Sequence, residues 1–147
     1  IVGILAAIAL PAYQDYMARA KMTEPLAKLD EMKLGIAEFV ASNNRTPNDG
    51  IEAGLGTTGI NPVASTVAKY YKGVGYDEVT DNLTVQVGVQ LSGTANSNLD
   101  SGWIVMTGTI DSPNTTSVLW ECGTDVAATY RKFLPSNCRS TVTFSAN

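Results

Sequence analysis

The first forty positions follow a helical pattern whose polarity changes along its length. Residues 1–10 carry neither charge nor a polar side chain. Oppositely charged pairs spaced four apart then appear, Asp15 with Arg19 and Glu24 with Lys28, a spacing that suits a helix surface. An apolar stripe stepping by three or four positions follows on one face: Met22, Leu26, Leu29, Met32, Ile36, Phe39 and Val40. The pattern predicts one long helix over residues 1–42, with an apolar half (1–20) and an amphipathic half (21–42).

A helix of about forty residues rises about 60 Å, roughly twice the ~26 Å diameter of a compact globule of this length. We therefore expect residues 1–20 to project beyond a globular part, where their apolar surface needs a membrane or other copies of the chain to cover it. Ten apolar residues are about half of the twenty that cross a bilayer. Because the chain lacks an initiator Met and a basic leader region, we expect it to be processed or truncated, and an upstream continuation could complete a transmembrane segment.

Three residues weaken the helical pattern. Gly3 and Pro11 lie in the apolar half, and Pro25 lies in the amphipathic half. At Pro25 the pattern allows a kink in a continuous helix or a restarted helix capped by Thr23. The stripe keeps its phase across Pro25, which favours the kink.

The period changes from 3.6 to 2 after residue 82. Strict alternation predicts a strand over residues 83–91, and shorter patterns predict strands at 102–110, 116–122 and 141–144, with a turn at 111–114. Short connections favour antiparallel pairing. The prediction is a single α+β domain in two layers: the long helix packs on a four-stranded antiparallel sheet within residues 83–147, after a connecting loop over residues 43–82.

Composition narrows the possible functions. The net charge of −4 argues against general nucleic-acid binding, and only Arg131, Lys132 and Arg139 form a basic cluster. The absence of histidine removes the commonest general base and metal ligand. A G-x-G-x-x-G match at residues 54–59 has no strand before it and Pro62 where a helix should begin, so it does not indicate a nucleotide site. We expect no enzyme activity, no cofactor and no metal.

The two cysteines, Cys122 and Cys138, favour a disulfide over other cysteine chemistry. Two cysteines without histidine cannot complete a four-ligand zinc site, and no C-x-x-C redox pair is present. A disulfide between them would close a loop that stabilises the fold by about 3 kcal/mol in the chain-entropy model. The sequence therefore predicts a C-terminal loop bounded by a disulfide.

Three segments together resemble the type IV pilins, in particular their type IVa class. The first and most specific is GILAAIALPAYQDYMARA at residues 3–20, and the others are WECG around Cys122 and LPSNCR around Cys138. In this family the mature chain begins a little further upstream with a methylated Phe and a nearby Glu, so Ile1 aligns inside the family's hydrophobic segment. A Lys-Tyr segment at Lys69–Tyr70 is also similar to the family's connector.

The resemblance implies a structural subunit that polymerises into a type IV pilus used in surface adhesion, twitching motility or DNA uptake. The filament core would be formed by exposed apolar residues of the helix: Ile1, Val2, Ile4, Leu5, Ile8 and Leu10. It also implies loss of helicity between Gly3 and Pro11 on assembly. Its implied partners are other copies of the chain, the inner membrane before assembly and the pilus assembly machinery, and its implied location is the extracellular pilus. The alternative is a minor pilin or a secretion-system pseudopilin.

In some family members the disulfide-bounded loop contacts host receptors. Transferred to this chain, the candidate receptor-contact residues are Gly123, Thr124, Asp125, Arg131, Lys132 and Asn137. The simpler interpretation, which we prefer, is that this disulfide-bounded segment, here called the stapled loop, stabilises the edge of the sheet and contacts neighbouring subunits.

Overall fold

A computed structural model describes residues 1–56, 68–79, 83–110 and 117–144. Two helices come first, α1 (Val2–Lys21) and α2 (Thr23–Asn43). The strands are β1 (Tyr71–Val79), β2 (Thr84–Leu91), β3 (Trp103–Ile110), β4 (Val118–Thr124) and β5 (Ser140–Thr141), with 3₁₀ turns at Ala128–Phe133 and Ser136–Cys138 between β4 and β5. The predicted turn at residues 111–114, and residues 57–59 of the glycine-rich match, lie outside the described residues.

α1 and α2 follow one another as a single rod with one irregular step at Met22. Met22 keeps right-handed helical angles (φ −73°, ψ −13°), and its carbonyl accepts a bond of 3.2 Å from the Leu26 N–H. Pro25 has no N–H to donate to the preceding turn. The Thr23 hydroxyl does not cap a new helix but donates back to the Ala20 carbonyl at 2.8 Å. The prediction of a helix that continues past Pro25 is confirmed.

The helix ends at Asn43, one residue after the predicted end at residue 42. Asn44 follows α2 in the left-handed region at φ 53°, and its N–H bonds to the Val40 carbonyl at 2.8 Å. Asn tolerates this conformation better than most residues, so it terminates the helix at little cost.

The sheet has five strands in the order β1-β2-β3-β4-β5. β1 to β4 pair antiparallel, which confirms the predicted pairing for β2, β3 and β4, whereas β5 pairs parallel to β4, contrary to the prediction. The prediction of four strands was wrong in two places. β1 lies inside the stretch assigned to the connector, and the final strand covers only Ser140–Thr141 instead of residues 141–144.

β1 was not predicted because glycines interrupt its alternation of apolar and polar side chains. Gly73 and Gly75 alternate with its inward side chains, Val74 and Tyr76, and glycine is depleted in strands. The strand is held by pairing with β2 that runs from Tyr71 opposite Leu91 to Val79 opposite Thr84, with one register shift near Gly73. β1 is therefore a strand because it pairs with β2, and this pairing cannot be recognised from the local alternation of apolar and polar side chains.

The core lies between α2 and the inner face of the sheet. α2 contacts β2 and β3. Of the predicted stripe, Leu26 and Phe39 are half-buried and the other five side chains are buried: Met22, Leu29, Met32, Ile36 and Val40. The sheet contributes buried residues from its inward positions, including Val85, Val87, Val89, Ile104 and Met106. The predicted packing of the amphipathic helix on the sheet is confirmed.

The outer face of the sheet is covered by the C-terminal tail. The Val142 N–H bonds to the Thr124 carbonyl at 3.1 Å, and the Phe144 ring packs on Trp103 with centroids 5.0 Å apart. Glycine leaves room for this crossing, because a Cβ at Gly123 would lie 2.5 Å from Val142. Val105 beneath the tail is fully buried.

The first part of the connector is organised by a bidentate ion pair. Arg45 donates both guanidinium nitrogens to the Glu52 carboxylate, and the Asn48 N–H donates to the same carboxylate at 2.7 Å. The Arg45 hydrogen bond, followed by the Asn48 N–H, lowers the pKa of Glu52 from 4.5 to about 2. The buried Tyr76 hydroxyl donates to the Pro47 carbonyl and ties this turn to β1. Burial raises the Tyr76 pKa.

Met32→Ala tests the helix–sheet core. Met32 is fully buried, and truncation of a buried Met costs about 2–5 kcal/mol because the cavity does not fully collapse. Leu34→Ala is the matched control, since Leu34 on the same helix is 62% exposed and should change stability by less than about 0.5 kcal/mol. Urea unfolding in mild detergent, followed by circular dichroism, measures both. Equal losses would contradict the observed orientation of α2.

Glu52→Gln tests the Arg45 pair through pH. A carboxylate whose pKa is lower in the folded chain stabilises the fold above its unfolded value of about 4.5, and this contribution is lost as the pH falls towards 2. We therefore expect the unfolding free energy of the variant to depend less on pH between 4.5 and 2 than that of the unaltered chain. Glu38→Gln is the control, because the exposed Glu38 carboxylate makes no ion pair in the described ranges. Identical pH slopes for all three proteins would overturn the assignment.

Candidate functional site

The first fourteen side chains of the chain are all exposed. They include the six apolar residues predicted to form a filament core, which are between 59% and 98% exposed: Ile1, Val2, Ile4, Leu5, Ile8 and Leu10. A monomeric protein rarely leaves a contiguous apolar surface of this kind uncovered. The apolar part of α1 is therefore the principal candidate interaction surface of the molecule.

α1 remains helical through both of its helix-weakening residues. Gly3 lies one residue after the start of α1, and a Cβ there would meet nothing within 4 Å. Pro11 lies in the helix interior, where its missing N–H leaves the carbonyl four residues earlier without its usual partner. Among the helices in the described part of the chain, none has an apolar run long enough to cross a membrane.

The end of α1 is anchored to the globular part by its last turns. Ala18 is buried, and the buried Phe133 lines the clefts on both sides of this segment. The Lys132 ammonium lies 3.3 Å from the Asp15 carboxylate. The globular part therefore contacts α1 from about residue 15 onward.

This contact replaces one of the predicted helical ion pairs. Asp15 pairs with Lys132, 117 positions away, instead of with Arg19. Glu24 accepts the Lys69 backbone N–H at 2.7 Å, and Lys28 pairs with Glu31 at 2.8 Å, so the second predicted pair is also absent from the described residues. Local spacing gave no signal for either long-range contact, because both depend on how the connector and the C-terminal region fold back onto the helix.

A disulfide joins Cys122 to Cys138, with the two Cα atoms 4.5 Å apart. Two arginines organise the enclosed loop by donating to backbone carbonyls. Arg131 Nε bonds to the Val126 carbonyl at 2.7 Å, and Arg139 Nε bonds to the Leu134 carbonyl at 3.0 Å. The loop is therefore an ordered part of the sheet edge.

The six candidate receptor-contact residues divide into an internal and an external group. Gly123 and Thr124 are buried, and Arg131 is half-buried with its guanidinium engaged in the loop. Asp125, Lys132 and Asn137 are exposed. Asp125 also accepts the Trp103 N–H at 2.6 Å. Only the external group presents a surface to another molecule.

Comparison with known proteins identifies the family. The family model of pilin, a bacterial filament protein, matches residues 18–139. The chain belongs to the pilin family. That match begins at the anchored end of α1 and extends one residue beyond Cys138, so it covers the helix–sheet core and the stapled loop of this pilin.

Relatives extend the similarity over nearly the whole pilin chain. It is 34% identical to the fimbrial protein EcpC of Eikenella corrodens, over 97% of this chain and 84% of the relative. It is 31% identical to the type IV major pilin protein PilE1 of Neisseria gonorrhoeae, over 95% of this chain and 86% of the relative. A fimbrial protein of Neisseria meningitidis serogroup B is 39% identical over half of this chain and 41% of its own length. This pilin is a structural protein and not an enzyme.

Removing the disulfide should destabilise this pilin. Replacing both cysteines with serine frees a loop of 16-residue separation, and we expect a loss of about 3 kcal/mol in unfolding free energy because the unfolded chain gains entropy. Thermal unfolding of the unaltered chain with and without reductant provides the measurement. The double-serine variant is the control, since reductant should not change its melting. A chain that melts at the same temperature oxidised and reduced would contradict a stabilising bridge.

Proposed function

We propose that this pilin is the major structural subunit of a type IV pilus and polymerises through α1. The observation that carries the proposal is the exposure of the first fourteen side chains on a chain whose apolar stripe on α2 is buried or half-buried. Fully burying each Ile, Leu or Val of α1 would be worth about 1.5–3 kcal/mol. Burial of this surface against other copies therefore supplies the driving force for assembly.

The composition of α1 suits close contact between copies. Gly3, Ala6, Ala7 and Ala9 are small enough to let helix backbones approach one another. A rod that packs against different surfaces of successive copies makes a heterologous contact, which gives an open filament where the rotation does not close. This geometry supports a fibre rather than a closed ring.

Before assembly, the same surface needs another apolar environment. We propose that residues 1–12 of α1 insert into the inner membrane until the assembly machinery transfers the subunit to the growing pilus. The proposal is supported by the same exposed apolar side chains, since the hydrocarbon core of a bilayer covers them as well as a neighbouring helix does.

Assembly would also use the two helix-weakening residues. We propose that the stretch between Gly3 and Pro11 loses helicity as α1 packs in the fibre and lets the fibre extend. The carbonyl left unpaired by Pro11 supports this proposal, because part of the helical bonding is already missing there.

Adhesion, twitching motility and DNA uptake are uses of such a fibre that stay predictions. For adhesion, the exposed group of the stapled loop is the surface available to a host receptor: Asp125, Lys132 and Asn137. The acidic composition supports no general affinity for nucleic acid.

Leu5→Asp combined with Ile8→Asp tests polymerisation through α1. Both residues are exposed in the single chain, so the globular part should fold normally, whereas burying two carboxylates in a helix-packed core is prohibitive. We expect fibres to be absent in electron micrographs of material sheared from cells producing the variant. Ile51→Asp is the control, because Ile51 is 58% exposed but lies in the connector.

Each result separates the competing functions. Thin filaments composed of this chain that are absent only in the α1 variant would support the proposal that the chain is the major subunit. Normal fibres from the α1 variant would refute assembly through this helix. Finding the unaltered chain only as a trace component of another fibre, or only in the membrane fraction, would favour a minor pilin or pseudopilin.

A further inference from the structure

Two exposed tyrosines mark the boundary between the apolar and charged parts of α1. Tyr13 is 61% exposed and Tyr16 is 69% exposed. Tyr13 directly follows residues 1–12, in which every position is uncharged and exposed, and Tyr16 lies three positions further along the helix. Tyrosine is enriched at the level of lipid headgroups, because its ring is apolar and its hydroxyl is polar.

Four basic residues surround α1 just beyond the tyrosines, and we call them the basic collar: Arg19, Lys21, Lys132 and Arg139. Arg19 and Arg139 line the same cleft of about 360 Å³, on one side of Phe133. Lys21 lines a second cleft of about 520 Å³ on the other side. Lys132 neighbours Phe133 and reaches Asp15 on the helix. The collar therefore encloses the point where α1 leaves the globular part.

The positive charge of the collar is only partly neutralised. Asp15 is the carboxylate that pairs with it, through Lys132. Lys21 donates to the Thr94 carbonyl and Arg139 to the Leu134 carbonyl, which are neutral acceptors. Arg19 makes no side-chain hydrogen bond or ion pair with the described residues. The nearby Asp100 carboxylate accepts hydrogen bonds from the Thr94 hydroxyl at 2.7 Å and from the Thr94 N–H at 3.0 Å. A cationic patch thus stands on a chain whose net charge is −4.

The spacing along α1 places the collar at headgroup depth when residues 1–12 are in hydrocarbon. Twelve helical residues rise about 18 Å, more than half of a ~30 Å hydrocarbon core. Arg19 lies about 10 Å further along the axis. Side chains on a helix lean towards its N-terminus, so Arg19 and Lys21 lean towards the membrane. Their charges come within about one Debye length of the lipid phosphates.

We propose that the basic collar, together with Tyr13 and Tyr16, binds the headgroups of anionic phospholipids. This inference rests on the proposed insertion of α1 into the membrane and adds the class of lipid and the residues that select it. Anionic lipid strengthens the binding of a subunit held by its apolar helix and fixes how far the helix enters. On assembly, the collar exchanges lipid phosphates for the surroundings offered by neighbouring copies.

The test compares binding of the full chain to two kinds of vesicle after removal of detergent. One kind contains phosphatidylcholine alone, and the other contains 30 mol% phosphatidylglycerol. Flotation at low salt and at 1 M salt measures the partition coefficient. We expect the unaltered chain to float with both kinds, more strongly with the anionic one at low salt. At 1 M salt, where the Debye length is about 3 Å, the preference should disappear.

Arg19→Gln with Lys132→Gln should weaken the preference and leave the part that Lys21 and Arg139 contribute. Each basic residue at an anionic surface contributes about fivefold, so the variant should bind anionic vesicles roughly 25-fold less tightly and neutral vesicles equally well. Lys28→Gln with Lys33→Gln on α2 is the matched control, with the same change in net charge. Arg19→Lys with Lys132→Arg should keep the full preference, because it keeps both charges. Circular dichroism of each variant confirms folding.

Each remaining outcome rejects a stated part of the proposal. Equal binding of the unaltered chain to both vesicles overturns the collar and leaves membrane insertion standing. Binding to neither vesicle overturns insertion and the collar together. A preference that is undiminished in the collar variant, or is weakened equally in the α2 control, also overturns the collar. A collar variant that keeps its lipid preference but forms no fibres would instead assign these residues to a contact between copies.

Discussion

Packing of the α2 stripe on the inner face of the sheet determines how the rest of the molecule is arranged. Leu29, Met32 and Ile36 are fully buried there, and this contact fixes the direction of the helical rod. α1 continues the rod past Met22 with helical backbone angles, so it runs beyond the reach of the sheet. The exposed apolar surface of α1 is therefore a geometric consequence of a well-packed α2.

The periodic parts of this arrangement could be predicted from sequence. A stripe such as Met22 to Val40 repeats many times and has one interpretation, and the alternation of β2 is equally regular. The disulfide followed from having only two cysteines. β1 and the pairing of Asp15 with Lys132 could not be predicted, because each depends on a partner far away in the chain. The charge pattern around residue 15 even favoured a different partner.

The candidate site shows the same division. The apolar residues of α1 were recognisable because they form an uninterrupted uncharged run. The basic collar was not recognised as one surface, since only Arg131, Lys132 and Arg139 are close in sequence. Folding moves Lys132 and Arg139 to the helix, where they meet Arg19 and Lys21, and turns Arg131 inward to the loop. The collar is a product of tertiary structure.

Membrane and filament would compete for one surface of this pilin. The apolar residues of α1 gain similar burial from lipid and from neighbouring helices, so the hydrophobic effect alone gives little direction to the transfer. Whether the subunit prefers the fibre or the membrane must therefore depend on features that differ between the two environments. Helix packing at small residues would favour the fibre, whereas the proposed contact of the collar with anionic headgroups would favour the membrane.

The disulfide has a mechanical consequence for a subunit under tension. Cys122 lies in β4 and Cys138 lies at the end of the second 3₁₀ turn, so the bridge bypasses the 16-position separation between them. Without the bridge, a pulled chain would lengthen by about 50 Å as this segment straightened, at roughly 3.4 Å per residue and starting from Cα atoms 4.5 Å apart. With the bridge, the segment between the two cysteines cannot extend until a covalent bond breaks. Force would then be carried through the sheet edge, and extension of the fibre would have to come from parts of the chain outside this loop, such as the helical rod.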